Sequence, residues 1–316
     1  MGVTPSTPPS PVLPLSLSAL RRDIDSPAGR ISLYSAGPQD PTRGLPPLLL
    51  VHSINAAASA AELAPLFEHY RQQRPVYALE LPGFGFSDRS ARPYTTRLMT
   101  DALHAALAVM KSEQGAAAAD VLAVSLSSEF AARAKCEAPH SIRRLALVSP
   151  TGFSGRKLRY GPAGGTLGLP WLYRLLTMDF WRQGIFDALT RPGVVRYFLK
   201  RTWGAEDIDE TLWRYCLLTS RQPGAANAAF YFVSAFLFST DINQLYERLD
   251  SPVWVSMATR GDFTDYRGRH TVKNRKNWQF HAVEGGALPY FEDLTAFTKK
   301  LDPFWNVDHP SQKIQH

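Results

Sequence analysis

The chain has 316 residues, 45% of them hydrophobic and 20% charged, a composition that excludes a fibrous repeat or a largely disordered protein. Its formal net charge of +7 is interpreted as dispersed surface charge that could attract an anionic ligand. No aromatic and basic module typical of nucleic-acid binding accompanies it. No apolar run approaches the roughly 20 residues of a membrane-spanning helix.

Two cysteines, Cys136 and Cys216, lie far apart and have no metal-ligand spacing. This usage fits a reducing compartment better than a disulfide scaffold, so we expect a cytoplasmic protein. No metal cluster, dinucleotide fingerprint or phosphate loop is found in the sequence, and we therefore expect no cofactor. The oligomeric state is left open.

The first half of the chain predicts an opening hairpin and then alternating strands and helices. Residues 1–14 are rich in proline and serine and predict a disordered tail. Segments 17–24 and 30–35 flank a turn signal and predict the hairpin. The predicted strands that follow are 47–52, 76–81, 120–124 and 144–148, and the predicted helices are 59–72, 96–111 and 127–136. Such alternation predicts an α/β fold with a mostly parallel sheet and helices on both faces.

The alternation is interrupted in the second half. Residues 154–247 contain helical, aromatic-rich segments without a convincing strand, and alternation resumes with strands 253–257 and 278–283 and a closing helix 288–301. We predict that 154–247 is a helical lid, inserted between the sixth and seventh strands above their carboxyl ends. The remaining predicted units are the core, formed by 15–153 and 248–304, and a C-terminal tail, 305–316.

Three short segments resemble a known family. They are Leu49-Leu50-Val51-His52-Ser53-Ile54, Leu81-Pro82-Gly83-Phe84-Gly85-Phe86-Ser87-Asp88 and Ala123-Val124-Ser125-Leu126-Ser127. In sequence and spacing the chain resembles the α/β-hydrolase superfamily over about residues 17–302, and in particular its lid-bearing esterases and carbon–carbon bond hydrolases. The resemblance implies the α/β-hydrolase fold.

The resemblance also implies a serine nucleophile at Ser125. The family's elbow is G-x-S-x-G, in which small residues permit a strained strand-to-helix turn. Ala123 and Ser127 stand in the two glycine places. The backbone NH groups of Leu126 and Ile54 would form the oxyanion hole.

The segment before Ile54 departs from the family pattern. Where the family has a His-Gly pair, this chain has His52, to which we assign a structural role, and Ser53. Because glycine tolerates backbone angles that serine does not, Ser53 could disturb the oxyanion loop.

Of the other two members of the family's catalytic triad, the acid has a candidate in this chain and the histidine is replaced. Asp262 follows the strand 253–257 and is the expected acid, with Asp265 in reserve. Ala287 stands where the family has its catalytic histidine, and alanine cannot accept the serine proton. His281, inside a predicted strand, and His270 are alternative bases, although a structural or exposed role is expected for each.

These features leave three hypotheses of function open. The first is a serine hydrolase acting on a hydrophobic ester, thioester or activated carbon–carbon bond, with weak or unorthodox activity. The second is an inactive relative that binds a ligand or a partner, and the third is a non-hydrolytic enzyme on the same fold. The aromatic residues of the insertion are expected mostly to pack within the lid. Any ligand beneath it should be small and hydrophobic, and the basic residues of the insertion could also attract an anionic group.

Overall fold

The computed structural model describes residues 12–38, 45–115 and 118–306. Most of the two segments predicted as tails, 1–14 and 305–316, lies outside the described residues. The last helix continues to Asn306, and Trp305 within it is buried. The folded chain therefore extends slightly into the segment that we predicted as a C-terminal tail.

An eight-stranded sheet forms the centre of the molecule. The strand order is β1-β2-β4-β3-β5-β6-β7-β8, in which β2 is antiparallel to both of its neighbours, β1 and β4, and the remaining five pairs are parallel. This confirms the predicted hairpin and mostly parallel sheet. The strands are β1 Leu20–Ser26, β2 Gly29–Ala36, β3 Leu48–Val51, β4 Val76–Glu80, β5 Ala119–Val124, β6 Ile142–Val148, β7 Val253–Ala258 and β8 Trp278–Val283.

Helices cover both faces of the sheet. They are α1 Ala64–Tyr70, α2 Thr96–Gln114, α3 Ser127–Glu137, α4 Pro170–Leu176, α5 Arg182–Leu189, α6 Pro192–Trp203, α7 Glu210–Ser220, α8 Ala225–Val233, α9 Ile242–Arg248, α10 Pro289–Glu292 and α11 Leu294–Asn306. The predicted helix 59–72 divides into a short 3₁₀ helix, Ala60–Leu63, and α1. A proline in the first turn of α1 explains the division, because proline begins a helix readily and cannot continue one.

Successive residues of each inner strand point to opposite faces of the sheet. In β3, Leu49 and Val51 belong to the cluster that packs against α2 and α3, whereas Leu48 and Leu50 belong to the one that packs against α1 and α11. A strand buried on both faces has no polar side to show, which accounts for its continuous apolar sequence.

The helices α4 to α9 lie between β6 and β7 and are tied to α3. Arg159 forms a buried ion pair with Glu129 of α3 at 2.5 Å, and the NH of Ser239 donates to the same carboxylate at 2.8 Å. Farther along α3, Arg133 pairs with Asp241 at 2.6 Å. The two ends of the insertion are thus fixed to the helix that follows Ser125.

Candidate active site

Ser125 lies in a tight turn between β5 and α3. Its φ of +54° is uncommon for a residue other than glycine. The turn is held by hydrogen bonds from the Ser125 NH to the carbonyl of Val148 at 2.8 Å and from the Ser128 NH to the Ser125 carbonyl at 3.1 Å. Backbone strain of this kind costs about 1 to 3 kcal/mol and persists only where the surrounding structure enforces it.

Ser127, in the second glycine place of the elbow, is accommodated by a hydrogen bond. Its hydroxyl donates to the carbonyl of His52 at 2.5 Å. The serine side chain at this position therefore links the elbow to the loop that carries Ile54, and it fits there without a clash.

A cavity of about 350 Å³ opens above Ser125. Ser125, Ile54, Asp262 and Ala287, four of the residues selected from the sequence, line it together. Helices of the insertion supply most of the opposite wall through Leu189, Val195, Phe198, Leu199, Thr202, Phe232 and Val233. The walls are mainly apolar, so the space suits a compact hydrophobic group.

Leu126 and Ile54 are the residues whose backbone NH groups are expected to bind an oxyanion. Leu126 caps the N-terminus of α3 and Ile54 lies in the loop after β3, and both are buried. Within the described residues, no acceptor takes the NH of either one. Ser53 does not adopt a positive φ, so its side chain leaves this loop unstrained.

Glu62 is a cavity residue that the sequence analysis missed. Its carboxylate accepts hydrogen bonds from the NH of Ser53 at 2.9 Å and from the amide of Asn55 at 2.8 Å. No cation pairs with it in the described part of the chain. Burial raises the pKa of the Glu62 carboxyl, and the two hydrogen bonds partly oppose that rise. A single carboxylate within the alanine-rich stretch 56–63 was the sequence signal that could have revealed it.

Asp262 lines the cavity, but its carboxylate is already occupied. Arg201 of α6 donates two hydrogen bonds to it, at 2.6 and 2.9 Å. Asp265, the reserve acid, binds Ser154, the NH of Gly155 and Arg267 instead, away from Ser125.

Ala287 lines the cavity at the position where the family has its catalytic histidine, so no imidazole is present there. It is buried, and its NH donates to the carbonyl of Thr202 at 2.9 Å. No histidine lines the cavity among the described residues. His281 lies in β8 with its ring stacked on Trp254, and His270 is exposed with its Nδ1 near the carbonyl of Arg267.

His52 has a structural environment. Its Nε2 accepts the NH of Leu81 at 3.0 Å, which leaves Nδ1 to donate to the carbonyl of Ser53 at 2.6 Å. Burial lowers the pKa of this ring to about 4. The neutral ring therefore connects the oxyanion loop to the segment after β4.

Comparison with known proteins identifies the fold. A family model described as the alpha/beta hydrolase fold matches residues 46–191. The structure of Cfl2 from Burkholderia cenocepacia is similar with a TM-score of 0.68 and 20% identity, covering 90% of this chain and 95% of that one. This chain has the α/β-hydrolase fold.

Other α/β-hydrolase structures are similar over nearly the whole chain. Carboxylesterase CesB from Bacillus subtilis has a TM-score of 0.64 and 17% identity and covers 91% of each chain. The meta-cleavage product hydrolase CumD from Pseudomonas fluorescens has a TM-score of 0.66 and 16% identity, covering 91% of this chain and 98% of that one. At these identities the likeness concerns the fold. No curated protein matches the sequence.

The described residues contain neither a metal-binding cluster nor a membrane-spanning helix. Over residues 12–38, 45–115 and 118–306, no group of three or more histidine, cysteine, aspartate or glutamate side chains is arranged to hold a metal ion. In the same ranges, none of the helices combines the length and apolar character needed to cross a membrane.

Proposed function

We propose that this protein is a Ser125-dependent hydrolase of weak or unorthodox activity that acts on a compact hydrophobic ester or thioester. The observation that carries the proposal is the strained backbone of Ser125, held at φ +54° on the wall of an apolar cavity. Such strain is maintained where a side chain must be presented to a reacting group. The helices α5 to α8 would act as the lid over the bound acyl group.

Two donors and one carboxylate support this chemistry. The NH groups of Leu126 and Ile54 would stabilise the developing oxyanion. We assign Glu62 as the group that accepts the Ser125 proton, directly or through a water molecule, because it lines the same cavity. A pKa raised by burial brings a carboxylate closer to the range in which a general base works well near neutral pH.

Activity should be weak because the histidine and the free aspartate of a complete triad are both lacking. Alanine occupies position 287, and the Asp262 carboxylate is neutralised by Arg201. Without a histidine held by an aspartate, the Ser125 proton must pass to Glu62, and the part of the rate that a complete triad supplies is lost.

A second candidate function is non-covalent binding of a small hydrophobic ligand. The ion pair between Arg201 and Asp262 favours it, because it removes from the site a charge that a triad would use. In that function the cavity would hold the ligand, and Ser125 would only line the cavity without reacting.

Reaction with a fluorophosphonate probe distinguishes the two. The hydrolase proposal expects slow labelling of the parent, loss of labelling in Ser125→Ala, and unchanged labelling in the control Ser18→Ala, which removes an exposed hydroxyl. Mass spectrometry should place the probe on Ser125. A folded parent that is not labelled would leave the binding function as the better account.

A further inference from the structure

The net positive charge of this chain arises in one segment, contrary to the dispersed charge expected at first. Residues 154–201 contain nine lysines and arginines and two acidic residues, Asp179 and Asp187. Since the whole chain has 35 basic and 28 acidic residues, the remainder has 26 of each sign and no net charge. The entire formal charge of +7 therefore arises in the first half of the insertion.

The same segment exposes large apolar side chains. Phe180 is 78% exposed and Trp171 63%, and Met178, Leu175 and Trp181 are each exposed by more than a third. These five residues, which we call the apolar face, belong to α4 and the turn before α5. The expectation that the aromatic residues of the insertion are mostly covered by packing fails for Trp171.

The inner side of α4 is already occupied, so the apolar face is a second, outer surface. Tyr173 packs on Tyr231 of α8 with ring centroids 4.4 Å apart, and Leu176 joins the cluster around Phe230. No residue of α4 is fully buried. A helix that is apolar on both sides needs a second apolar partner, and within the described chain this one has none.

The apolar face also has a defined shape. The Trp181 indole NH donates to the carbonyl of Leu175 at 2.6 Å, and the rings of Phe180 and Trp181 lie 4.4 Å apart. The exposed rings are thus held on a folded turn.

Arginines without carboxylate partners surround the apolar face. Arg174 in α4 and Arg191 after α5 are exposed. Arg182, the first residue of α5, is turned inward, because its guanidinium donates to the side chain of Asn227 and lies over the ring of Phe230. In the described residues none of the three forms an ion pair, whereas Arg196 and Lys200, farther along, pair with glutamates. Positive charge beside exposed tryptophan and phenylalanine is the pattern of a surface that inserts shallowly into an anionic bilayer.

We propose that the apolar face docks this protein on the surface of an anionic lipid bilayer. Trp171, Phe180 and Trp181 would enter the interfacial region while Arg174 and Arg191 contact the headgroup phosphates. The face adjoins the cavity through α8, against which α4 packs and whose residues Phe232 and Val233 line the cavity wall. Docking is independent of whether Ser125 is catalytic.

Co-sedimentation with lipid vesicles tests this proposal. Vesicles of phosphatidylcholine alone are compared with vesicles of equal parts phosphatidylcholine and phosphatidylglycerol. The full-length protein should bind the mixed vesicles about tenfold or more tightly, and this binding should weaken as salt is raised. The double variant Trp171→Ser/Phe180→Ser should lose about tenfold or more of the affinity.

A charge-reversed variant and matched controls separate docking from nonspecific effects. Arg174→Glu/Arg191→Glu should lose binding to the mixed vesicles selectively. Leu20→Ser removes an apolar side chain that is 67% exposed on β1, and Arg221→Glu reverses an exposed charge beyond the segment. Both controls should bind like the parent, and thermal melts should show that every variant is folded.

Three results would overturn the proposal. One is a parent that binds neither kind of vesicle, and another is a serine double variant that binds as well as the parent. The third is a parent dimer that Trp171→Ser/Phe180→Ser converts to a monomer without any vesicle binding, which would show that the apolar face joins two copies of the chain.

Discussion

Placing a histidine at position 287 should create ester hydrolysis, provided that Asp262 is also released. Ala287 lines the cavity, so part of an introduced imidazole can extend into open space. Its buried backbone leaves limited room, and overpacking should cost about 1 to 3 kcal/mol of folding free energy. General-base assistance is worth roughly 100-fold to 10,000-fold in rate.

The ion pair with Arg201 should limit the gain from Ala287→His alone. An imidazole between serine and aspartate needs a free carboxylate to fix its tautomer and stabilise its charge, and loss of that contribution costs about 10,000-fold in serine proteases. Here both Asp262 oxygens accept from Arg201. The variant Ala287→His/Arg201→Ala should therefore gain much more than either single substitution, in a strongly non-additive way.

The assay is hydrolysis of p-nitrophenyl acetate by the parent, both single variants and the double variant, with Ser125→Ala added to each. Arg196→Ala is the matched control, because Arg196 lies on the same helix, pairs with Glu210 and does not line the cavity. If Arg196→Ala supports the Ala287→His gain as well as Arg201→Ala does, the ion pair is not what disables Asp262. A gain that survives Ser125→Ala would refute the role of Ser125.

Three further predictions concern Gly85, His52 and Glu62. Gly85→Ala should cost about 3 kcal/mol or more in urea denaturation, because its φ is +49° and a Cβ would lie 1.1 Å from Glu80 Oε2. Gly115→Ala, with φ +60° and open space around it, should cost only about 1 to 2 kcal/mol, and equal losses would contradict the steric argument. His52 has a folded-state pKa of about 4 against an ordinary 6.5, so its stabilisation is complete above pH 6.5 and is lost as the pH falls towards 4. The free energy of unfolding should fall by about 3 kcal/mol over this range, and His52→Asn should lack this fall. A variant with the same pH dependence as the parent would show that His52 is not its cause. Fluorophosphonate labelling should increase with pH through a midpoint above the usual glutamate range, because burial raises the Glu62 pKa and only the carboxylate accepts a proton. Glu62→Gln should flatten that profile, and an unchanged profile would remove Glu62 as the base.

The sequence by itself determined the fold and the elements that carry the site. Strands buried on both faces have continuous apolar runs, and local turn residues mark their ends, so each predicted strand has a counterpart in the sheet. The turn at Ser125 was predicted from the resemblance to the family's elbow, in which small neighbouring residues permit a tight strand-to-helix connection. The alanine at position 287 is visible without any structure.

Only the tertiary structure decided how the residues of the site are occupied. Arg201 and Asp262 are separated by 61 residues, and nothing local indicates that one neutralises the other. Glu62 reads as an ordinary helix residue until the fold buries it beside Ser53 and turns it towards the cavity. The outer exposure of Trp171 likewise depends on which side of α4 meets α8, because this helix carries apolar side chains on both sides and its sequence does not select one of them.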